Sequence, residues 1–200
     1  ACTGPFTMAP DEVQELVVAV VAEIGADYIS SISAMKNIDA LAQTLYDDLF
    51  ASVPKPPATP KVEFNTTEDV ISINWSYDKD AVAKTESDDP LTGYDFQGYN
   101  VYQLPSATAS LNEGTRVATY DLVDGVTIVT GKRFVAEYGQ VVEIPVQYGA
   151  DLGVQRYIII DKNYITNEPL YLGNTYYFAV TAYNYNGNPQ LIEDMALESA

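Results

Sequence analysis

The sequence predicts a mainly β chain, a two-sheet β-sandwich preceded by a strand-and-helix element. Three observations carry that prediction. Beyond residue 60 the apolar residues stop recurring at helical spacing and alternate with polar ones, as in half-buried antiparallel strands. The alternating runs are short and separated by glycine-containing turns, the pattern of an all-β domain. Between the two regimes stand Pro54, Pro56, Pro57 and Pro60, which fit neither a helix interior nor a central strand. The chain therefore divides into a strand plus amphipathic helix at 1–50, a proline-rich linker at 51–60 and a sandwich at 61–200.

In the first part, "EVQELVVAVVAEIG" (12–25) is β-branched and ends on Gly25, so it reads as a strand, with a buried helix as the alternative that periodicity leaves open. "SISAMKNIDALAQTLYDDLF" (31–50) comes next, with Ile32, Met35, Ile38, Leu41, Leu45 and Leu49 spaced three and four apart. That spacing is an amphipathic helix, with serines placed to cap its start and Pro54 beyond its end. One strand and one helix cannot close a core. They read as the tail of a preceding domain or as an element docked on the sandwich.

In the second part, "VISINWSY" (70–77) places Ile71, Ile73 and Trp75 on one face and Ser72, Asn74 and Ser76 on the other. "GYNVYQL" (98–104), "TRVATYDL" (115–122), "VTIVT" (126–130), "QVVEIPVQY" (140–148) and "QRYIIID" (155–161) are further strands. In "LYLGNTYYFAVTAYNYNGN" (170–188), Tyr176, Phe178, Val180 and Ala182 form one face, and Tyr177, Ala179, Thr181 and Tyr183 the other. About seven short strands with no helix between them indicate two packed sheets.

These residues resemble the fibronectin type III family, an immunoglobulin-like β-sandwich. The single tryptophan, Trp75, lies in the second strand behind the proline-rich "PPATPKV", and Gly98-Tyr99-Asn100-Val101-Tyr102 resembles the family's third strand. Leu170, then Tyr176 six residues on, then Phe178, Val180 and Ala182 resemble its sixth. The resemblance implies structural roles for Trp75, Tyr99, Leu170 and Tyr176, with the Tyr176 hydroxyl bonding back to nearby backbone. It also implies a module of a large secreted or cell-surface bacterial protein, and a chain that is part of a longer parent. Two stretches depart from the compact pattern: the long loop between Trp75 and Gly98, and an insertion at 121–154.

Composition narrows the function. Ten Lys and Arg against 28 Asp and Glu leave a net charge of −18, which repels nucleic acid phosphates and disfavours anionic lipid. The charge reads either as solubility or as divalent cation binding. The chain has no histidine, which removes the Ser-His-Asp triad, the Cys-His pair and nearly all transition-metal sites. One cysteine, Cys2, cannot staple a fold. No apolar run reaches the length of a membrane span.

Two clusters are candidate sites. Tyr102, Tyr177 and Tyr183, projecting from neighbouring strands, would form an aromatic platform for sugar faces or a protein partner, or else pair across strands to stabilise the sheet. Asp78, Asp80, Asp88 and Asp89 crowd the loop "SYDKDAVAKTESDDPLTGYDF", as calcium ligands would, although the spacing is not that of an EF-hand. The alternative is a solvated, mobile loop tethered by Lys79 and Lys84. The expectation is a non-catalytic extracellular module that spaces, adheres or assembles, without a cofactor unless calcium binds the acidic loop. Its partners would be other protein domains or copies of itself. An accessory domain holding polysaccharide for a secreted hydrolase, and a subunit of an extracellular filament using 13–22 as a free strand, are the alternatives.

Overall fold

The computed structural model describes residues 7–13, 17–135, 139–188 and 195–199, with the backbone alone at 133–135. Cys2 lies outside them. The chain divides into two compact units, Ala1–Val53 and Pro54–Ala200.

Among its described residues unit 1 contains one helix, α1 (Tyr28–Asp47). Asp27, rather than a serine, is its N-cap: the carboxylate accepts from Ser30 N at 2.7 Å, and Ser30 Oγ accepts from Asp27 N at 2.9 Å. The serines enter as the reciprocal half of this capping box. The expected strand at 12–25 is absent from the described residues 17–25, which pair with nothing in a β-ladder; residues 14–16 lie outside the described set. A strand exists only through its partner's hydrogen bonds, and β-branched composition cannot supply a partner. None of the described residues of unit 1 is buried, and Val20 is 95% exposed.

Unit 2 begins with the prolines. Pro60 is buried and the Lys55 carbonyl accepts from Asn184 Nδ2 at 3.0 Å, so this stretch is fastened to the β unit. The strands are β1 (Glu63–Thr66), β2 (Ile71–Asn74), β3 (Asp95–Leu104), β4 (Thr115–Asp121), β5 (Ile128–Val135), β6 (Gln140–Tyr148), β7 (Tyr157–Ile160), β8 (Lys162–Asn163), β9 (Glu168–Pro169), β10 (Tyr177–Tyr185) and β11 (Ala196–Glu198). They form a three-stranded sheet in the order β1-β2-β7 and a four-stranded sheet in the order β11-β10-β3-β4, with all neighbours antiparallel. Two hairpins, β5-β6 and β8-β9, stand beside them.

The two main sheets share one core. Ile73 and Trp75 from β2 and its end, with Ile158 and Ile160 from β7, meet Tyr99 and Val101 of β3 and Val180 and Ala182 of β10. Alternation dictates this: each of these residues sits two positions from the next on its own strand. A register shift at Tyr183/Asn184 lets Phe96 join the same core beside Tyr99.

Two insertions differ from the expectation. The acidic stretch is not a mobile loop: it carries α2 (Lys79–Thr85), so a helix does interrupt the strands. Asp78 caps it by accepting from Ala81 N at 3.0 Å, Asp80 lies in the first turn and Lys84 in the last, each favourable to the helix dipole. Of the expected strand 126–130 only residues 128–130 are strand, the start of the longer β5, whose hairpin with β6 makes the second insertion.

Candidate functional site

The three candidate tyrosines do not form a platform. Tyr183 is 1% exposed, and its hydroxyl donates to Asp121 Oδ2 at 3.4 Å. Tyr102 is half-buried and donates to Glu198 Oε1 at 3.0 Å. Burial first, and then the adjacent carboxylates, hold both phenols well above their ordinary range. The face they were expected to present to solvent is covered, because the insertion closes over it through a polar network. Asn100, fully buried, donates to Gln147 Oε1 at 3.2 Å and to Glu198 Oε1 at 2.8 Å. It accepts in turn from Thr119 Oγ1 at 2.8 Å and Gln147 Nε2 at 3.2 Å. Thr181 also donates to Glu198.

The insertion is pinned at its base. The buried carboxylate of Asp121, the last residue of β4, accepts from Ala150 N at 3.0 Å and Asp151 N at 2.8 Å. Asp151 reciprocates, accepting from Asp124 N at 2.9 Å and Gly125 N at 3.0 Å. Gly149 permits the approach, since a Cβ there would collide with the Asp121 carboxylate.

The acidic residues are not gathered as ligands. Asp78 pairs with Lys61 Nζ at 2.7 Å besides capping α2, and that bond first of all holds its carboxyl below the ordinary range. Asp88 accepts from Phe96 N at 3.1 Å, while Asp89 accepts from Leu91 N at 3.1 Å and Thr92 Oγ1 at 2.7 Å. Asp80 stays exposed on α2. Among the described residues no three acidic, His or Cys side chains are placed to hold a metal ion.

The aromatic centre lies inside the sandwich. Trp75, 2% exposed, meets Tyr99 edge-on at 5.7 Å and Tyr120 at 6.2 Å between ring centres. The Tyr99 hydroxyl donates to Glu86 Oε1 at 2.6 Å, and Arg156 grips the same carboxylate in a fork at 2.6 and 2.7 Å. Burial alone would raise the Glu86 pKa, but the bonds from Arg156 and Tyr99 outweigh it and hold it below its ordinary value. Leu170 packs on the core, and the Tyr176 hydroxyl accepts from Tyr171 N at 2.9 Å.

The remaining candidate, Tyr177, lines a groove of about 370 Å³ where β3 ends and β10 begins. Its floor is Gln103, 2% exposed, which donates to Asn163 Oδ1 at 2.9 Å and accepts from Tyr164 N at 2.7 Å. Asn174, Thr175 and Tyr176 line the groove with Tyr177, and Leu104, Pro105 and Ile165 supply apolar wall. Sequence reading missed Gln103, Asn163 and Asn174. The one available signal was a glutamine at the end of an otherwise apolar-alternating strand.

These features define a β-rich chain with buried aromatic and polar networks and, among the described residues, a surface groove without a charged lining residue. Comparison with protein-family models, with curated proteins and with solved structures finds no match for this chain.

Proposed function

We propose that the chain is a non-catalytic, extracellular structural or adhesive module whose unit 2 is a fibronectin type III-like sandwich. The strand orders β1-β2-β7 and β11-β10-β3-β4 support the fold, since a third strand crossing to the sheet of the last two is the family's arrangement. The Tyr176 hydroxyl bonded to backbone five residues upstream supports it too. For the function, the observation that carries the reading is where the perturbed groups stand. Tyr99, Tyr102, Tyr183, Glu86 and Arg156 all lie in bonds that fasten one element to another. Bonds of this kind tighten a scaffold.

A scaffold of this kind transmits load or holds spacing through its core and meets partners through its surface. Labelling of intact source cells with a membrane-impermeant amine reagent tests the location. The module is expected among the labelled proteins, and a wholly protected pool would overturn the extracellular assignment. Turnover of any member of a glycoside and ester substrate panel by the purified chain would overturn the non-catalytic one.

Assembly into a filament is favoured by one observation, the unburied apolar surface of unit 1. Light scattering over a concentration series would show a growing mass on that reading and a constant monomer mass against it.

A further inference from the structure

The strands β1 and β7 form the edges of the three-stranded sheet, and β4 and β11 those of the four-stranded one. Three of these edges carry charge: Glu63 in β1, Arg116 and Asp121 in β4, and Glu198 in β11. A charged side chain on an edge discourages another chain from pairing there. β7, Tyr-Ile-Ile-Ile, has none. In a chain of net charge −18 it is the unguarded edge of the two main sheets among the described residues.

Its backbone is open as well. Trp75 N donates to Arg156 O at 3.0 Å, so 75 and 156 form a hydrogen-bonded pair, and by alternation so do 73 with 158 and 71 with 160. Tyr157 and Ile159 therefore turn their N–H and C=O groups away from β2, toward the free edge. Gln155 Nε2 occupies the Tyr157 carbonyl at 2.8 Å. The two N–H groups and the Ile159 carbonyl make no hydrogen bond among the described residues. The side chains of Tyr157 and Ile159 are 54% and 58% exposed, while Ile158 and Ile160 fill the core.

The matching half lies in unit 1. Residues 17–22, Val-Val-Ala-Val-Val-Ala, are uncharged, suited to a strand and in no ladder. Val18 and Val20, which alternation would place on one face of a strand, are 70% and 95% exposed.

We propose that residues 17–22 of one copy add to the β7 edge of a second copy, head to tail. The pairing rests on the assembly reading above and names its two surfaces. The donor backbone meets the open groups of Tyr157 and Ile159, and Val18 and Val20 extend the apolar row of those two side chains across the outer face of the sheet. Acidic surface elsewhere on each copy repels its neighbour, so contact is least opposed where both partners are uncharged. Donor and acceptor are different surfaces, so a joined copy still offers one of each and the contact repeats.

Complementation tests the pairing. Val20→Pro removes a ladder N–H from the donor, and Ile159→Lys places a charge on the acceptor edge. Both side chains are exposed, so neither change reaches the core. In light scattering from about 10 µM to about 1 mM, the unaltered chain is expected to grow in mass, and each variant alone to associate at least about 10-fold more weakly. An equimolar mixture of the two variants is expected to form a species of twice the chain mass and no larger, since one keeps its edge and the other its donor. That recovery also shows that both variants are folded. A constant monomer mass of the unaltered chain overturns assembly and this pairing together. Growth that either variant retains in full, or a mixture that stays monomeric or grows beyond two copies, overturns the pairing alone and leaves assembly to other surfaces.

Discussion

Residues 17–22, Val-Val-Ala-Val-Val-Ala, and residues 177–182, Tyr-Phe-Ala-Val-Thr-Ala, are both rich in strand-forming side chains. The second lies in β10, where β3 pairs with all six of its residues and β11 with the three that follow, and Val180 and Ala182 are buried in the core. The first belongs to a unit whose described residues form one helix, and it has no ladder and not one buried residue. Strand propensity expresses how well a side chain fits a pleated, half-buried surface. Where other strands build that surface, the propensity becomes structure; where nothing builds it, the same residues stay unpaired and largely exposed. The same contrast holds for aromatic residues. Tyr28 and Tyr46 on α1 are exposed, whereas Tyr99 and Tyr183 in unit 2 are almost fully buried and hydrogen-bonded.

The sharpest way to break this comparison is hydrogen exchange. Amides of β3 and β10 should exchange only through global unfolding, at least ~1,000-fold more slowly than those of α1, whose opening exposes no core. Equal protection would mean that unit 1 is held as firmly as unit 2. Substitution gives the next largest effect. Trp75→Ala removes the centre of the core and should destabilise unit 2 by about 3–5 kcal/mol in urea melts. Leu41→Ala on exposed α1 should move the same transition by no more than about 0.5 kcal/mol.

Asn100→Ala tests the polar layer. It strands Gln147, Thr119 and part of the Glu198 carboxylate, so a loss of about 2–3 kcal/mol is expected, together with faster exchange across β5-β6. A neutral result would mean that the hairpin does not rely on this network. The smallest effect is that of Glu86. Its folded pKa lies below the ordinary 4.5, so its contribution is present above that value and lost as pH falls through the folded pKa. Glu86→Gln should flatten the acid limb of unit 2 stability by about 1 kcal/mol, a modest figure because Arg156 remains more than a third exposed to screening solvent. An unchanged acid limb in that variant would assign the pH dependence elsewhere.

Much of unit 2 was legible because alternation is a local signal. The runs at 98–104, 115–122, 140–148 and 155–161 fall on strands, and Ile73, Trp75, Val101, Val180 and Ala182 face the shared core as their parity requires. α2 was missed although Asp78, the Ala-Val-Ala run and Lys84 carried its capping and propensity signals, because a density of carboxylates is as much a signal for ligands as for a capped helix. The tyrosine row failed for a different reason. Parity correctly separated Tyr183 and Tyr102 from the core face, but parity cannot tell whether the other face meets water. Only the return of the β5-β6 hairpin over β3, through Gln147 and Asn100, decided that it does not.

By itself the sequence determined the β-rich character of the larger unit, the face each core residue takes and the helical stretch of the smaller one, since these depend on periodicity within a few residues. Tertiary structure alone decided which of two apolar segments became a strand, that a polar layer would bury Tyr183 and half-bury Tyr102, and that Gln103, Asn163, Asn174 and Tyr177 would meet at one groove. Those outcomes depend on contacts between residues tens of positions apart, and no local pattern in the chain encodes who the neighbour will be.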